Sequence, residues 1–352
     1  MRVLFLSVTV GAGHNAAAST LSDYFVKNGH TTETVDLFKN NKFISGMISG
    51  TGFRAMYAFP RLTNSIYMNY KKKNKSFYET AVGYAKKYVL PKINDFKPDI
   101  IISSHVAGLL FTQKYRDSIV TPFKNCFFVT DYEIPPSVFN DDNRDYIIVP
   151  DDVFRNRLLD RGFSPERVFS FGIPVNDKFF KKGNAEDIIW NRRLNGFDPL
   201  KKTIMFMGGA KGLGDIFSTV RYVSENTKYQ IIVVCGKNRK IRKKIDGLKC
   251  PRIFSFGYVN YVDELMDLSD ILFGKTGGLS ATEALAKGLK IVAYKKIPCP
   301  EYLNLIFLQE RGLARAVNDK KELLTVLPGM SKSDHKVANP KVCAEVYNLL
   351  AN

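Results

Sequence analysis

The stretch VGAGHNAAA, from Val10 to Ala18, sets one of only four histidines in the chain directly behind a glycine turn. Val3 to Val8 is an unbroken apolar run of strand length, and Ala16 to Val26 carries Ala, Leu, Tyr and Val at helical spacing. Gly11 to His14 is therefore expected to be a strand-to-helix turn. In an open parallel sheet such a turn lies at the carboxyl edge, where ligands bind, and Gly11 and Gly13 would let an acceptor or a phosphate approach the backbone. The positive end of a helix favours a neutral imidazole, the form that can take a proton from a hydroxyl. His14 is read on that basis as a general base, against the plainer role of a capping or packing residue. His105, after Ile101-Ile102-Ser103-Ser104, and Asp131, after Val129-Thr130, stand at two further expected strand ends. His105 would line the same edge or pack at a helix start; Asp131 would orient His14 or the acceptor, or simply occupy a turn.

A second constellation lies in Phe273-Gly274-Lys275-Thr276-Gly277-Gly278-Leu279-Ser280-Ala281-Thr282-Glu283-Ala284. Two glycines at a helix start let phosphate oxygens reach backbone N–H groups, and Ser280 adds a hydroxyl. Glu283, expected on the first turn, could receive two ribose hydroxyls; the alternative is an acid that merely complements the helix dipole. The turn Gly208-Gly209-Ala210-Lys211-Gly212-Leu213-Gly214 fits neither the G-x-G-x-x-G dinucleotide spacing nor a P-loop.

These turns need strands and helices to hold them. Strand-like runs at Thr31 to Val35, Asp99 to Ser103, Cys126 to Val129, Tyr146 to Val149 and Val168 to Phe171 follow the first strand. After Gly172 the alternation restarts with Thr203 to Met207, Gln230 to Val234, Arg252 to Phe256, Ile271 to Gly274 and Lys290 to Ala293. Short apolar strands alternating with helices imply two doubly wound parallel sheets of α/β class. The expected domains are 1–175, 176–335 and a closing helix in 336–352, with the hinge near Gly172 to Val175.

The chain has 352 residues and a formal charge of +18, which implies an anionic partner. Phe38 to Lys97 holds twelve Lys or Arg against Glu79 and Asp95, interleaved with apolar and aromatic side chains. A basic amphipathic insertion at about 38–75 is read as a membrane-interface segment. Phe53, Met56 and Tyr57 would enter the acyl boundary while Lys71, Lys72, Lys73 and Lys75 meet anionic headgroups; a solvated run beside core helices is the alternative. The cluster Arg239, Lys240, Arg242, Lys243 and Lys244 is read as the exposed face of a helix. No nucleic-acid-binding motif accompanies the charge, so nucleic acid is not the expected partner. Five scattered cysteines without C-x-x-C spacing argue for reduced thiols, and neither a signal-peptide pattern nor a membrane span is read. The expected location is cytoplasmic, peripheral on the inner face of the cell membrane.

TGGLSATEALAKGLKIVAY followed by PCPEYLN resembles the donor segment of glycosyltransferase family 28, and VGAGHNAAA resembles the opening motif of its diacylglycerol branch, which holds monogalactosyldiacylglycerol synthases and processive diacylglycerol glucosyltransferases. VTDY, GIPV, FMGG, CGKN and GYVNYVDELMDLSD fall in family order. The resemblance implies a GT-B fold of two Rossmann-like domains flanking a cleft, a UDP-sugar donor, a lipid acceptor such as diacylglycerol, and inverting transfer of a hexose without a metal or other cofactor. It assigns Gly209, Gly277, Gly278, Leu279 and Ser280 to the donor diphosphate region and Glu283 to the ribose. The backbone at Tyr258 and Val259 would hold the uracil, and Glu301 with Asn304 the sugar or phosphate. His14 is the base that the family pattern implies. Pro298-Cys299-Pro300-Glu301-Tyr302-Leu303-Asn304 stands where the family has P-G-Q-E-E-G-N, so sugar and acceptor identity stay open. A polyprenyl-linked or soluble acceptor is the near alternative; a non-catalytic sugar-nucleotide-binding protein is the distant one.

Overall fold

The computed structural model describes residues 1–9, 13–39, 56–68, 73–134, 144–208, 215–333 and 338–351. They form two compact units: Met1–Val175 with Pro298–Pro300 and Asn339–Asn352, and Asn176–Ile297 with Glu301–Ala338.

In the first unit, β1 (Arg2–Ser7), β2 (Thr31–Asp36), β3 (Ile100–Ser103), β4 (Lys124–Phe128), β5 (Tyr146–Ile148) and β6 (Val168–Phe169) make one parallel sheet in the order β2-β1-β3-β4-β5-β6. Its described helices are α1 (Gly13–Lys27), α2 (Pro60–Met68), α3 (Lys73–Phe96), α4 (Val106–Tyr115) and α5 (Asp152–Leu159). Strand β1 shows why both faces must be covered. Val3 and Phe5 pack with Leu21 and Phe25 of α1 and with Val346 and Leu350 near the C-terminus. Leu4 and Leu6 point the other way, onto Val82, Val89 and Ile93 of α3 and Phe111 of α4. A strand apolar at every position is what two covered faces require.

The second unit repeats the plan with β7 (Thr203–Met207), β8 (Gln230–Val234), β9 (Ile253–Phe256), β10 (Ile271–Gly274), β11 (Lys290–Tyr294) and β12 (Ala314–Val317), all parallel, in the order β12-β11-β10-β7-β8-β9. Its helices are α6 (Ala185–Asn191), α7 (Ile216–Asn226), α8 (Arg239–Asp246), α9 (Val262–Asp267), α10 (Gly278–Ala286), α11 (Glu301–Glu310) and α12 (Lys320–Val326); α13 (Val342–Ala351) packs on the first unit. In each sheet the strand order reverses beside the first strand, between β1 and β3 and between β7 and β10. Those two switch points are where an open α/β sheet receives ligands at its carboxyl edge.

The structure departs from the sequence reading at element ends. Helix α1 begins at Gly13, so His14 sits inside its first turn. Strand β12 was not expected, because Ala-Arg-Ala-Val is short and places exposed Arg315 among buried neighbours at the sheet edge. Helix α13 is described from Val342 rather than Lys336. Among the described residues no helix is long and apolar enough to cross a membrane.

Candidate active site

The carboxyl ends of β1, β3 and β4, neighbours in the sheet, deliver His14, Ser104-His105 and Thr130-Asp131 to one edge. His14 Nδ1 lies 3.1 Å from the Ser104 carbonyl oxygen and 2.6 Å from Thr130 Oγ1. Thr130 in turn donates its hydroxyl proton to the Ser104 oxygen, at 3.2 Å. A carbonyl only accepts, and a lone pair on Nδ1 would face it, so the ring proton belongs on Nδ1. Nε2 is left with the lone pair that a base uses.

His105 is fixed differently. As N-cap of α4 its Nδ1 accepts the Ala107 N–H at 3.1 Å, which leaves its proton on Nε2. Burial, and secondarily the charge that His14 could carry, hold its imidazole well below the usual histidine range. The two rings meet edge to face with centroids 4.9 Å apart. Below them Ser104 Oγ donates to Ser7 Oγ at 3.1 Å, and Ser7 donates to Asn15 Oδ1. Asn15 also donates to Thr9 Oγ1 at 2.9 Å, while the Thr9 N–H is held by Asp36. The start of α1 is thus tied to β1, β2 and β3 by side-chain hydrogen bonds. Asp131, expected to orient His14 or the acceptor, is buried at 8% exposure beside Thr130. The contacts that fix the His14 ring come from Thr130 and Ser104, which the sequence reading passed over.

In the second unit β10 leads through Gly274, Lys275 and Thr276 into α10, whose N-cap is Gly277 with no side-chain cap. The first-turn N–H groups of a helix have no carbonyl within it to bind, which makes an uncapped glycine start suited to an anion. Gly274 permits the approach of the strand, since a Cβ there would lie 2.3 Å from the Met207 carbonyl oxygen of β7. Ser280 Oγ donates back to the Gly277 oxygen at 3.1 Å, and Leu279 is buried. Glu283 is corrected from the first to the second turn of α10, because the helix opens at Gly278; a dipole role at the helix start therefore does not describe it. It is half-buried, and its carboxyl is pushed up to about 8 by burial, which Lys178 opposes and Asp263 reinforces. Lys178 pairs with Asp263 at 2.8 Å and donates to the Asn260 oxygen. Tyr258 and Val259, on the same turn after β9, are exposed and half-buried, Tyr258 at 67%.

Glu301 and Asn304 are built into the wall of this site. Glu301, at the start of α11, pairs with Lys275 at 2.9 Å, and its backbone oxygen accepts the Thr276 hydroxyl at 2.6 Å. Asn304 is fully buried and donates to the Thr276 oxygen at 2.9 Å. Both side chains clamp the turn that carries Gly277 and Gly278.

Of the other expected site residues, Gly11, Gly209, Phe53, Lys71 and Lys72 lie outside the described residues, and Gly13 opens α1. Lys73 and Lys75 fall in the first turn of α3, and half-buried Met56 and Tyr57 precede α2. Among the described residues no group of three or more His, Cys, Asp or Glu is gathered as a metal site.

The chain is similar to known proteins in sequence and in fold. Residues 14–175 match the family model of monogalactosyldiacylglycerol (MGDG) synthase. The processive diacylglycerol beta-glucosyltransferase of Bacillus subtilis (strain 168) is 28% identical over 333 residues, 92% of this chain and 85% of its own. Among solved structures, MurG of Acinetobacter baumannii superposes with a TM-score of 0.59 at 11% identity, covering 99% of both chains. The UGT89C1 of Arabidopsis thaliana, complexed with UDP, superposes at 0.57 with 12% identity, covering 100% of this chain and 95% of its own. The fold is GT-B.

Proposed function

We infer that this chain is an inverting, UDP-sugar-dependent glycosyltransferase that transfers a hexose to a membrane lipid, diacylglycerol in the first instance. The observation that carries the reading is the clamp on His14. A ring held with its proton on Nδ1 at the switch point of the first sheet offers Nε2 to a hydroxyl. The acceptor oxygen attacks the anomeric carbon as its proton passes to Nε2. The bond from that carbon to the diphosphate breaks, and UDP leaves with the electron pair. One displacement inverts the anomeric centre. The start of α10, whose N-cap glycine brings no side-chain cap, supplies positive charge to the leaving diphosphate, and the transfer is proposed to need no metal. Glu283 would hold the ribose through its carboxylate.

Glucose is the proposed sugar. The family-model match ends at residue 175, within the unit assigned to the acceptor, whereas the relatives aligned through the donor unit are named glucosyltransferases. For the membrane segment, support comes from side chains the sequence reading did not single out. Phe59 and Leu62 are exposed at 65% and 61% around Arg61, and α3 turns Tyr84 and Tyr88 outward beside Lys87. This mixture suits the inner membrane face. Incubating the protein with diacylglycerol vesicles and either UDP-glucose or UDP-galactose tests the reading. A hexosyl lipid formed faster from UDP-glucose supports it, and UDP release without a lipid product opposes it.

A further inference from the structure

The most concentrated charge in the second unit is on α8, whose sequence Arg-Lys-Ile-Arg-Lys-Lys-Ile-Asp sets five cations in six positions. Ile245 is buried and Ile241 packs partly on the same core, so one narrow stripe holds the helix to the sheet. Arg239, Lys240, Arg242, Lys243 and Lys244 are all exposed, as is Lys237 just before the helix. Lys244 lies over the Phe217 ring and Lys237 over Tyr258. Among the described residues, Arg239, Lys240, Arg242 and Lys243 enter no ion pair. The nearby acid Asp246 accepts the Ser255 hydroxyl.

Lys243 and Lys244 in the last turn suit the helix dipole, but the rest of the pattern works against the helix that bears it. Arg239 and Lys240 lie in the first turn, at the positive end of the dipole, and the pairs 239/243 and 240/244 place like charges one turn apart. A solvated face made for solubility would mix signs; here each cation adds to one positive field. An anionic surface against the helix would attract every one of these cations and offset those repulsions. The outward face of the helix itself carries no apolar side chain to insert and no aromatic, and the exposed Tyr258 beside it is covered by Lys237, so the face fits a sheet of lipid headgroups better than a nucleic acid strand.

We propose that the outward face of α8 is an electrostatic docking surface for anionic lipid headgroups, separate from the basic amphipathic segment of the first unit. It rests on the reading that the protein works at a membrane surface. The attraction is purely ionic and is therefore reversed completely by salt, whereas the segment around α2 keeps an apolar contribution that salt does not screen.

The test is co-sedimentation with vesicles of phosphatidylcholine alone or with phosphatidylglycerol added, between about 0.05 and 1 M salt. It compares wild type, R239Q/K240Q/R242Q/K243Q, R239K/R242K, and the quadruple glutamine variant at Lys71, Lys72, Lys73 and Lys75. The expected result is a fall of roughly tenfold or more in partition of the α8 variant onto anionic vesicles at about 0.1 M salt. Binding to neutral vesicles and calorimetric UDP affinity stay unchanged, and R239K/R242K behaves as wild type. Wild-type partition by the α8 variant overturns the proposal; if the lysine variant at 71–75 has meanwhile lost binding, the membrane reading itself stands. Failure of the wild type to sediment with any vesicle overturns both, whereas displacement from anionic vesicles by equimolar single-stranded RNA overturns the lipid assignment of the α8 surface alone. If circular dichroism shows the quadruple variant unfolded, R239Q/K243Q takes its place and must show a shallower salt dependence than wild type.

Discussion

At the residue scale, the account depends on which nitrogen of His14 carries a proton. Thr130→Val removes the hydroxyl 2.6 Å from Nδ1 and leaves the Ser104 carbonyl in place. Turnover should fall about tenfold, the order of one lost hydrogen bond, with UDP affinity unchanged; Thr130→Ser should restore most of it. Equal turnover in all three proteins would remove Thr130 from the mechanism. Glu283 offers a pH test. Its folded carboxyl titrates near 8, above the ordinary value for glutamate. The neutral form is favoured on folding, so its contribution to stability is complete below about pH 4.3 and is lost as pH rises through 8. Glu283→Gln should therefore resist denaturant better than wild type above pH 8, by on the order of a few kcal/mol, with the gap closing toward pH 4 to 5. If ribose hydroxyls donate to the carboxylate, UDP-glucose affinity of the wild type must weaken as pH drops from 8 to 6, while the variant shows no such slope. A flat wild-type profile in calorimetry would take Glu283 out of the donor site. The placement of His14 behind the first strand was legible in the sequence because a glycine turn follows an apolar run, whereas Glu283 was set one turn too early because α10 opens at Gly278. Thr130 and the Lys275–Glu301 clamp were not legible, since a hydroxyl or a buried ion pair acquires its meaning only from partners brought in by other strands.

At the element scale, the site is made by strand ends. Three adjacent strands carry His14, Ser104 and Thr130, and β10 carries the turn into α10. Gly274 is the tightest point of that arrangement, because any side chain there meets the Met207 carbonyl of β7. Gly274→Ala should lower the unfolding free energy by about 1–3 kcal/mol, as overpacking does, and weaken UDP binding by displacing the α10 start. Gly329→Ala, which meets nothing within 4 Å, serves as the control and should change neither. A Gly274→Ala protein with wild-type stability and affinity would show that the β7–β10 spacing is not critical. Strands buried on both faces, such as β1, β7 and β8, could be read directly as apolar runs. Strand β12 could not, because an edge strand with one exposed arginine lacks that run, and the start of α1 was misread by three residues because Gly13 and His14 are poor indicators of helix.

At the scale of the whole molecule, the charge of +18 has to be reconciled with the proposed lipid substrate and with described helices that do not cross a membrane. The proposed solution is surface docking, with an apolar component around α2 and α3 and an ionic one wherever cations stand unopposed. Changing Phe59 and Leu62 together to serine should weaken sedimentation with neutral and anionic vesicles alike, since both side chains are exposed and their loss leaves the core intact. An unchanged partition onto neutral vesicles would move the apolar contact elsewhere. The two-sheet architecture was open to sequence reading because strand and helix alternate twice, and so was the exposed basic face of α8, because Ile241 and Ile245 are the apolar residues of that helix and mark the stripe it buries. The central claim, transfer of a sugar to lipid through His14, is tested most directly by mass spectrometry and anomeric NMR of lipids after incubation of wild type and His14→Ala with UDP-glucose and diacylglycerol vesicles. The account predicts a β-linked hexosyl diacylglycerol from the wild type and a yield roughly 10² to 10⁴ lower from His14→Ala at equal UDP affinity. An α-linked product, or equal yields from the two proteins, would contradict it.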